Sequence, residues 1–344
     1  MSWKSTTIKP LLAMTVVLFF VALPPVSAAT TEVTVTPKSS TEVEGRIFSE
    51  VTLGGVTVIM SSDAYGTDAR PIALGEDADI SPNGTEIAYL TTENDALILT
   101  KALRVAKTDG SAVLTIASGF PSMSSPSWTS DGNSIVVRLN DGIWKFDLFT
   151  DTKTRLVEDN LTTINVDPEV SPDGTNLAWM RITRAGSSTH QELMLRDLTT
   201  NFVRTLTLFE TPLYGDQQPV RFSWGPRSDR ISIDATEYGD QLARLPIHRE
   251  LNLVGEILTQ SLNVTHIGSV AFQFTDTVYS PAGTVLARTA TSKGIERIAL
   301  TTLDGTFIRW LSQEPHRSTI GWVNGQNSQI FPPILPNSRQ KLPY

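Results

Sequence analysis

The sequence predicts an all-β protein: a six-bladed β-propeller closed by one blade shared between its N- and C-terminal segments. Three observations carry the prediction. A turn motif of the Ser-Pro-Asp-Gly kind recurs at blade-sized intervals, short β-rich runs flank each copy, and no sustained helical period appears in the 344 residues.

The turn comes first, because it sets the period. Ile80-Ser81-Pro82-Asn83-Gly84 and Val170-Ser171-Pro172-Asp173-Gly174 are the clearest copies, each followed by a strand-like run, Glu86 to Leu90 and Asn176 to Met180. Trp128-Thr129-Ser130-Asp131-Gly132, Trp224-Gly225-Pro226-Arg227-Ser228 and Tyr279-Ser280-Pro281-Ala282-Gly283 follow the same grammar, and Trp322-Val323-Asn324-Gly325 is a truncated sixth. The leading residues of these copies are spaced by 48, 42, 54, 55 and 43 residues, the size of a four-stranded blade. Proline presets φ at the first corner, aspartate or asparagine suits the second, and glycine accepts the positive φ that follows, so each copy closes a tight hairpin. The large apolar residue before each turn is expected on the innermost strand, wedged between neighbouring blades.

Beyond each hairpin a third strand, a polar turn and a fourth strand follow. Gly142 to Asp147, Phe149-Thr150-Asp151 and Thr154 to Val157 make one such set; Glu192 to Asp197, Thr199-Thr200-Asn201 and Val203 to Leu206 make another. The stretches Val56 to Met60 and Arg70 to Leu74 read as the second half of a repeat whose first half is missing. Trp322 and the run Ser328 to Phe331 are expected to supply it, joining the chain's two ends in one blade and removing an open sheet edge. Five whole repeats and this split one make six.

The flanks carry different signals. Residues 1–28 read as a signal peptide: Lys4 and Lys9 form a basic start, Leu11 to Leu23 is a predominantly apolar run, and Val26-Ser27-Ala28 offers a cleavage site. Thirteen residues ended by Pro24-Pro25 fall short of the roughly 20 that a spanning helix needs, so no stable membrane anchor is expected after cleavage, and the product is expected in the periplasm or the medium. Residues 29–45 read as a flexible Thr/Ser-rich linker, 46–331 as the propeller and 332–344 as a flexible tail.

Composition narrows the partners. There is no cysteine, which removes disulfides and thiolate chemistry. The net charge of −8 becomes −10 once the leader is removed, which argues against nucleic acid. A monomer is expected.

The Ser-Pro-Asp-Gly turns, each followed by a strand like Leu177-Ala178-Trp179 and a later one like Leu193-Met194-Leu195-Arg196-Asp197, resemble the repeats of the TolB propeller family over roughly Arg46 to Phe331. TolB itself carries an α/β domain ahead of its propeller, and the stretch between Ala29 and Arg46 is too short to hold one. The resemblance implies a fold and says far less about function, because propellers host unrelated activities.

No Gly-x-Ser-x-Gly elbow, phosphate-binding loop or His-Glu-x-x-His helix is present, so no catalytic residue, metal ligand or cofactor is assigned from motifs. Four histidines limit an imidazole-rich metal site, and they read as surface or hydrogen-bonded core residues. Asp77, Asp79 and Asp167, just before inner-strand positions, either cap turns, face water or point toward a channel cation. The two longest repeats carry their excess mostly between blades, on the face opposite the Ser-Pro-Asp-Gly hairpins. That face is expected to gather Arg184, Tyr214, Asp216, Arg221, Tyr238, His266 and Arg317, with His190 and His316 nearby, as a binding rim. The expected activity is that of an interaction module for a protein partner or a carbohydrate. The alternative is a metal-dependent hydrolase or lyase centred on the channel.

Overall fold

The computed structural model describes residues 45–53, 55–95, 98–185, 188–211, 220–238, 244–267, 269–311 and 318–323. Among these residues every regular element is a strand. The first blade holds Arg46–Leu53 (β1), Val56–Asp63 (β2) and Arg70–Leu74 (β3); the second, Glu76–Ile80 (β4), Glu86–Asp95 (β5), Ile98–Lys107 (β6) and Leu114–Phe120 (β7). Met123–Trp128 (β8), Ser134–Leu139 (β9), Gly142–Asp147 (β10) and Lys153–Glu158 (β11) form the third. The fourth contains Thr163–Val170 (β12), Asn176–Ala185 (β13), Ser188–Asp197 (β14) and Val203–Thr211 (β15). Arg221–Trp224 (β16), Arg230–Tyr238 (β17), Arg244–Asn252 (β18) and Ile257–Leu262 (β19) make the fifth. The sixth has five strands, Val264–Ile267 (β20), Val270–Tyr279 (β21), Val285–Ser292 (β22), Ile295–Thr302 (β23) and Phe307–Trp310 (β24), and Ser318–Val323 (β25) returns to the first blade.

Closure is as expected in kind but divided differently. β25 pairs antiparallel with β1, Arg46 opposite Val323 and Ile47 opposite Trp322, so the C-terminal segment contributes the innermost strand and the N-terminal one the other three. The sequence reading began the N-terminal half at Val56 and missed β1. Residues Ile47 to Val51 are buried in succession, on both faces of the sheet, and therefore show no apolar–polar alternation. The proposed run Ser328 to Phe331 lies outside the described residues.

All six residues that precede the turns sit at or next to the end of an innermost strand, and all are buried: Ile80, Trp128, Val170, Trp224, Tyr279 and Trp322. The hairpins behave alike. In the fourth blade Gly174 N–H donates to Ser171 O at 2.8 Å with φ of 74°, while Ser171 N–H donates to Asn176 O at 2.9 Å. Ser228 takes the same positive φ, 58°, where the fifth repeat lacks the glycine.

Apolar clusters fill five of the six blade-to-blade contacts among the described residues; Leu90 and Leu103 of the second blade, for example, pack with Trp128 and Ile135 of the third. The contact between the fifth and sixth blades is polar instead. Asp234 of β17 accepts hydrogen bonds from Asn263 (2.9 Å), Thr277 (2.5 Å) and Arg288 (3.0 Å), and its Oδ1 lies 2.8 Å from His248 Nδ1. Arg288 is fully buried and also stacks over Phe274, 4.4 Å from the ring centre. Four partners on one carboxylate outweigh the cost of its burial, so Asp234 stays below the usual carboxylate range.

Candidate functional site

The innermost strands surround a central cavity of about 760 Å³. Three residues before each turn-preceding residue, one position recurs in every blade: Asp77, Ser125, Asp167, Arg221, Asp276 and Thr319. In five blades the pairing of the innermost strand with its neighbour slips beside this position, a β-bulge; in the fifth blade β16 begins there. Asp77, Ser125 and Asp167 accordingly take positive φ, 49°, 52° and 50°. A bulge adds a residue and re-aims its side chain, and the described members, Asp77 to Asp276, all line the cavity.

The ring is charged, and contacts link Ser125, Asp167, Arg221 and Asp276. Ser125 donates to Asp167 at 2.7 Å. The Arg221 guanidinium lies 3.6 Å from Asp167 on one side and 3.6 Å from Asp276 on the other, bridging the fourth and sixth blades. Burial disfavours the Arg221 charge, but Asp167, Asp276 and Asp77 outweigh it and hold the group above its ordinary value. Asp77 and Asp276 are pushed up, in both cases chiefly by burial; Glu76 and Asp167 add repulsion at Asp77, and Arg221 partly offsets the shift at Asp276.

Two residues further along, Asp79, Ser127 and Glu169 act as clasps between blades. Asp79 accepts from the backbone N–H of Trp128 at 2.7 Å, and Ser127 accepts from Val170 N–H at 3.1 Å. Glu169 accepts from the backbone of Trp224. The Trp128 and Trp224 indoles add bonds to the carbonyls of Asp79 and Glu169, 3.3 and 3.2 Å. Each clasp ties one blade to the next, which gives these channel carboxyls a structural task. Burial raises Asp79 to about 6 and pushes Glu169 well above its usual range, with Asp79 and Asp167 adding repulsion there.

Of the expected rim residues, the structure moves one and separates others. Arg221 lies in the channel ring, at the start of an innermost strand, and not on a loop rim. The reason is the bulge register: the ring position is polar in every blade and is supplied by strands, so loop length does not mark it. Arg184 is exposed near the end of β13, and His266 is exposed on β20. Tyr238 ends β17, opposite Arg244. Tyr214, Asp216, His316 and Arg317 lie outside the described residues. His248 is a core residue whose Nδ1 lies against Asp234. Asp77, Asp79 and Asp167 do line the channel, and Asp79 serves as a clasp. Among the described residues no three carboxylate or imidazole side chains converge closely enough to hold one metal ion. Ser125, Asp276, Glu169 and the Asp234 cluster escaped sequence reading; the first three were visible as polar residues at fixed offsets before the turns.

No protein-family model matches the sequence, and no curated protein matches it. Solved structures do. TolB from Acinetobacter baumannii superposes with a TM-score of 0.51 at 17% identity, over 77% of this chain and 67% of that one. An oligogalacturonate lyase in complex with manganese gives 0.46 at 12% identity, over 80% of this chain and 74% of that one. A prolyl endopeptidase gives 0.47 at 14% identity, over 81% of this chain and only 43% of that one. At such identities the likeness is one of architecture. In fold, this chain is a TolB-like six-bladed β-propeller.

Proposed function

We propose that the chain is a binding module that engages a protein partner at the channel mouth, on the face opposite the Ser-Pro-Asp-Gly hairpins. The observation that carries this reading is the ring formed by Asp77, Ser125, Asp167, Arg221 and Asp276 around a water-accessible central cavity. Rigid strands supply the ring and loops surround it, the arrangement in which recognition usually resides. The alternative, a metal-dependent hydrolase or lyase, requires converging ligands, and the Asp79 and Glu169 carboxyls that would serve it hold blades together. A carbohydrate ligand would use the same mouth.

Capture of a cross-linked partner from the native source by the purified chain tests the reading. Asp167→Asn with Asp276→Asn should abolish capture, and Asp109→Asn in a turn of the hairpin face should leave it intact. Capture that survives the first pair and is lost with the second change would place the site on the wrong face. Export is part of the same proposal: no helix among the described residues is long and apolar enough to cross a membrane, and a mature N-terminus at Ala29 by mass spectrometry would support cleavage of the leader.

A further inference from the structure

We infer that Asn83 is a self-modification site: when the seam between the first and second blades opens, its side-chain amide is lost to water, and the residue that returns to the fold is aspartate. Three observations meet at this turn. An asparagine is followed by glycine, its bonds are ones that an aspartate would keep, and the turn touches the strand that closes the ring.

The dipeptide supplies the chemistry. The backbone nitrogen of Gly84, deprotonated by hydroxide, attacks Cγ of Asn83; the new N–C bond closes a succinimide ring, and the bond to Nδ2 breaks with release of ammonia. Water then opens the ring. Addition at Cγ breaks the new bond and leaves aspartate, whereas addition at the backbone carbonyl breaks the original peptide bond and leaves isoaspartate, whose chain runs through Cβ and Cγ. Asn83 is exposed, and Gly84 has no side chain to hinder the attack.

The fold opposes the first step. Gly84 N–H donates to Ser81 O at 2.8 Å, which makes Asn83 the third residue of a turn, with ψ near about 0°. Ring closure requires the nitrogen to leave Ser81 and the Asn83 backbone to rotate. The turn is also held from outside. A Cβ on Gly84 would stand 3.4 Å from a methyl of Val323, and Gly84 O accepts from Thr108 Oγ1 at 3.2 Å. Val323 ends β25, the strand that closes the ring. The reactive conformation is therefore reached by a local opening that parts the turn from β25.

Other blades display the product. Asn83 Oδ1 accepts from Ser81 Oγ (2.8 Å), Thr85 N–H (3.0 Å) and Thr85 Oγ1 (2.8 Å). At the same place in the fourth blade, Asp173 Oδ1 accepts from Ser171 Oγ (2.6 Å), Thr175 N–H (3.0 Å) and Thr175 Oγ1 (2.8 Å). In the third blade Asp131 Oδ1 accepts from Thr129 Oγ1 (2.6 Å) and Asn133 N–H (3.0 Å). Burial pushes both aspartates up, but the hydroxyl and backbone bonds outweigh it and hold them below the usual carboxylate range. All three bonds at Asn83 go to Oδ1, so exchange of the amide nitrogen for oxygen keeps them and makes them charge-assisted. Isoaspartate adds an atom to the backbone between Ser81 O and Gly84 N and breaks that register.

Peptide mapping by mass spectrometry tests the inference on the purified full chain, incubated in mildly alkaline buffer, with the Asn83 peptide scored apart from that of Asn324-Gly325. Conversion at Asn83 should run about tenfold or more slowly in the folded chain than in the same chain unfolded in guanidinium chloride. Val323→Ala, which removes the methyls beside Gly84, should speed conversion in the folded chain severalfold, while Leu161→Ser, in a distant connection, should leave it unchanged. Thr108→Val probes the same seam should Val323→Ala not fold. In the folded monomer recovered by size exclusion, an aspartate-specific protease should cut at the converted residue, and isoaspartyl methyltransferase should label little of it. Asn83→Asp should melt no lower than the unsubstituted chain. Equal rates in folded and unfolded chains, indifference to both seam variants, isoaspartate dominating the folded monomer, or a lowered melting temperature for Asn83→Asp would each overturn the inference.

Discussion

Asp79 offers the sharpest test of how the blades are held together. Its carboxylate accepts the backbone N–H of Trp128 at 2.7 Å and that of Ile80 at 2.8 Å, yet burial lifts it from 3.8 to about 6. Because the pKa is raised in the folded state, the fold binds this proton more tightly than the unfolded chain. The associated stability is therefore present in full below pH 4 and is lost as pH rises through 6. Two pH units correspond to a ceiling of about 3 kcal/mol; residual contact with channel water reduces the expected contribution to roughly 1–2 kcal/mol. Asp79→Asn cannot ionise and gives up one of the two accepted bonds, at about 1 kcal/mol. That loss is nearly independent of pH, so the gap between variant and wild type should move in the variant's favour by roughly 1–2 kcal/mol between pH 4 and pH 8. Relief of the repulsion on Glu169 acts in the same direction. Urea denaturation of both proteins across that range, at fixed ionic strength, measures the gap. Parallel stability curves, or a gap widening against the variant at pH 8, would refute the assignment of the raised carboxyl to Asp79.

The remaining predictions concern the frame. Gly174→Val should destabilise by about 2 kcal/mol or more, since a Cβ at this positive φ meets the Ser130 hydroxyl of the adjacent blade, whereas Gly294→Ala, with the same sign of φ and open space around it, should cost about 1 kcal/mol; thermal melts compare them. Truncation before Ser318 removes β25 and leaves one edge of β1 unpaired, so cooperative unfolding should be lost or aggregation appear in calorimetry and light scattering. Arg288→Ala strands the Asp234 carboxylate in the polar contact and should cost about 3–5 kcal/mol, while Arg288→Met combined with Asp234→Leu should cost much less. A double variant as unstable as the single one would mean that apolar packing cannot replace the pair.

The blade count and the inner position of every turn-preceding residue were legible because local chemistry dictates them: Pro-Asp-Gly demands one turn geometry, and a large apolar residue ahead of it demands burial. β1 was not legible, because a strand covered on both faces has no period-two signature. Arg221 was misplaced for a related reason. Loop length pointed to a rim, whereas the repeated offset of Asp77, Asp167 and Asp276 before their turns was the better guide to the channel. The Asp234, His248 and Arg288 cluster left no trace, since its members stand in three strands and look like ordinary polar positions until the blades are stacked.

Pairing of β1 with β25 also orders events during synthesis. Five sheets are built from neighbouring stretches and can assemble as the polypeptide lengthens, but the first must wait for the last strand to leave the ribosome. Until then β1 offers a vacant edge and the Ile80 side of the second blade lacks its neighbour Gly321. Nascent chains stalled before Ser318 would thus remain protease-sensitive, however far the other blades had progressed, and the same join is where a pulling force applied at the two ends would first part the ring.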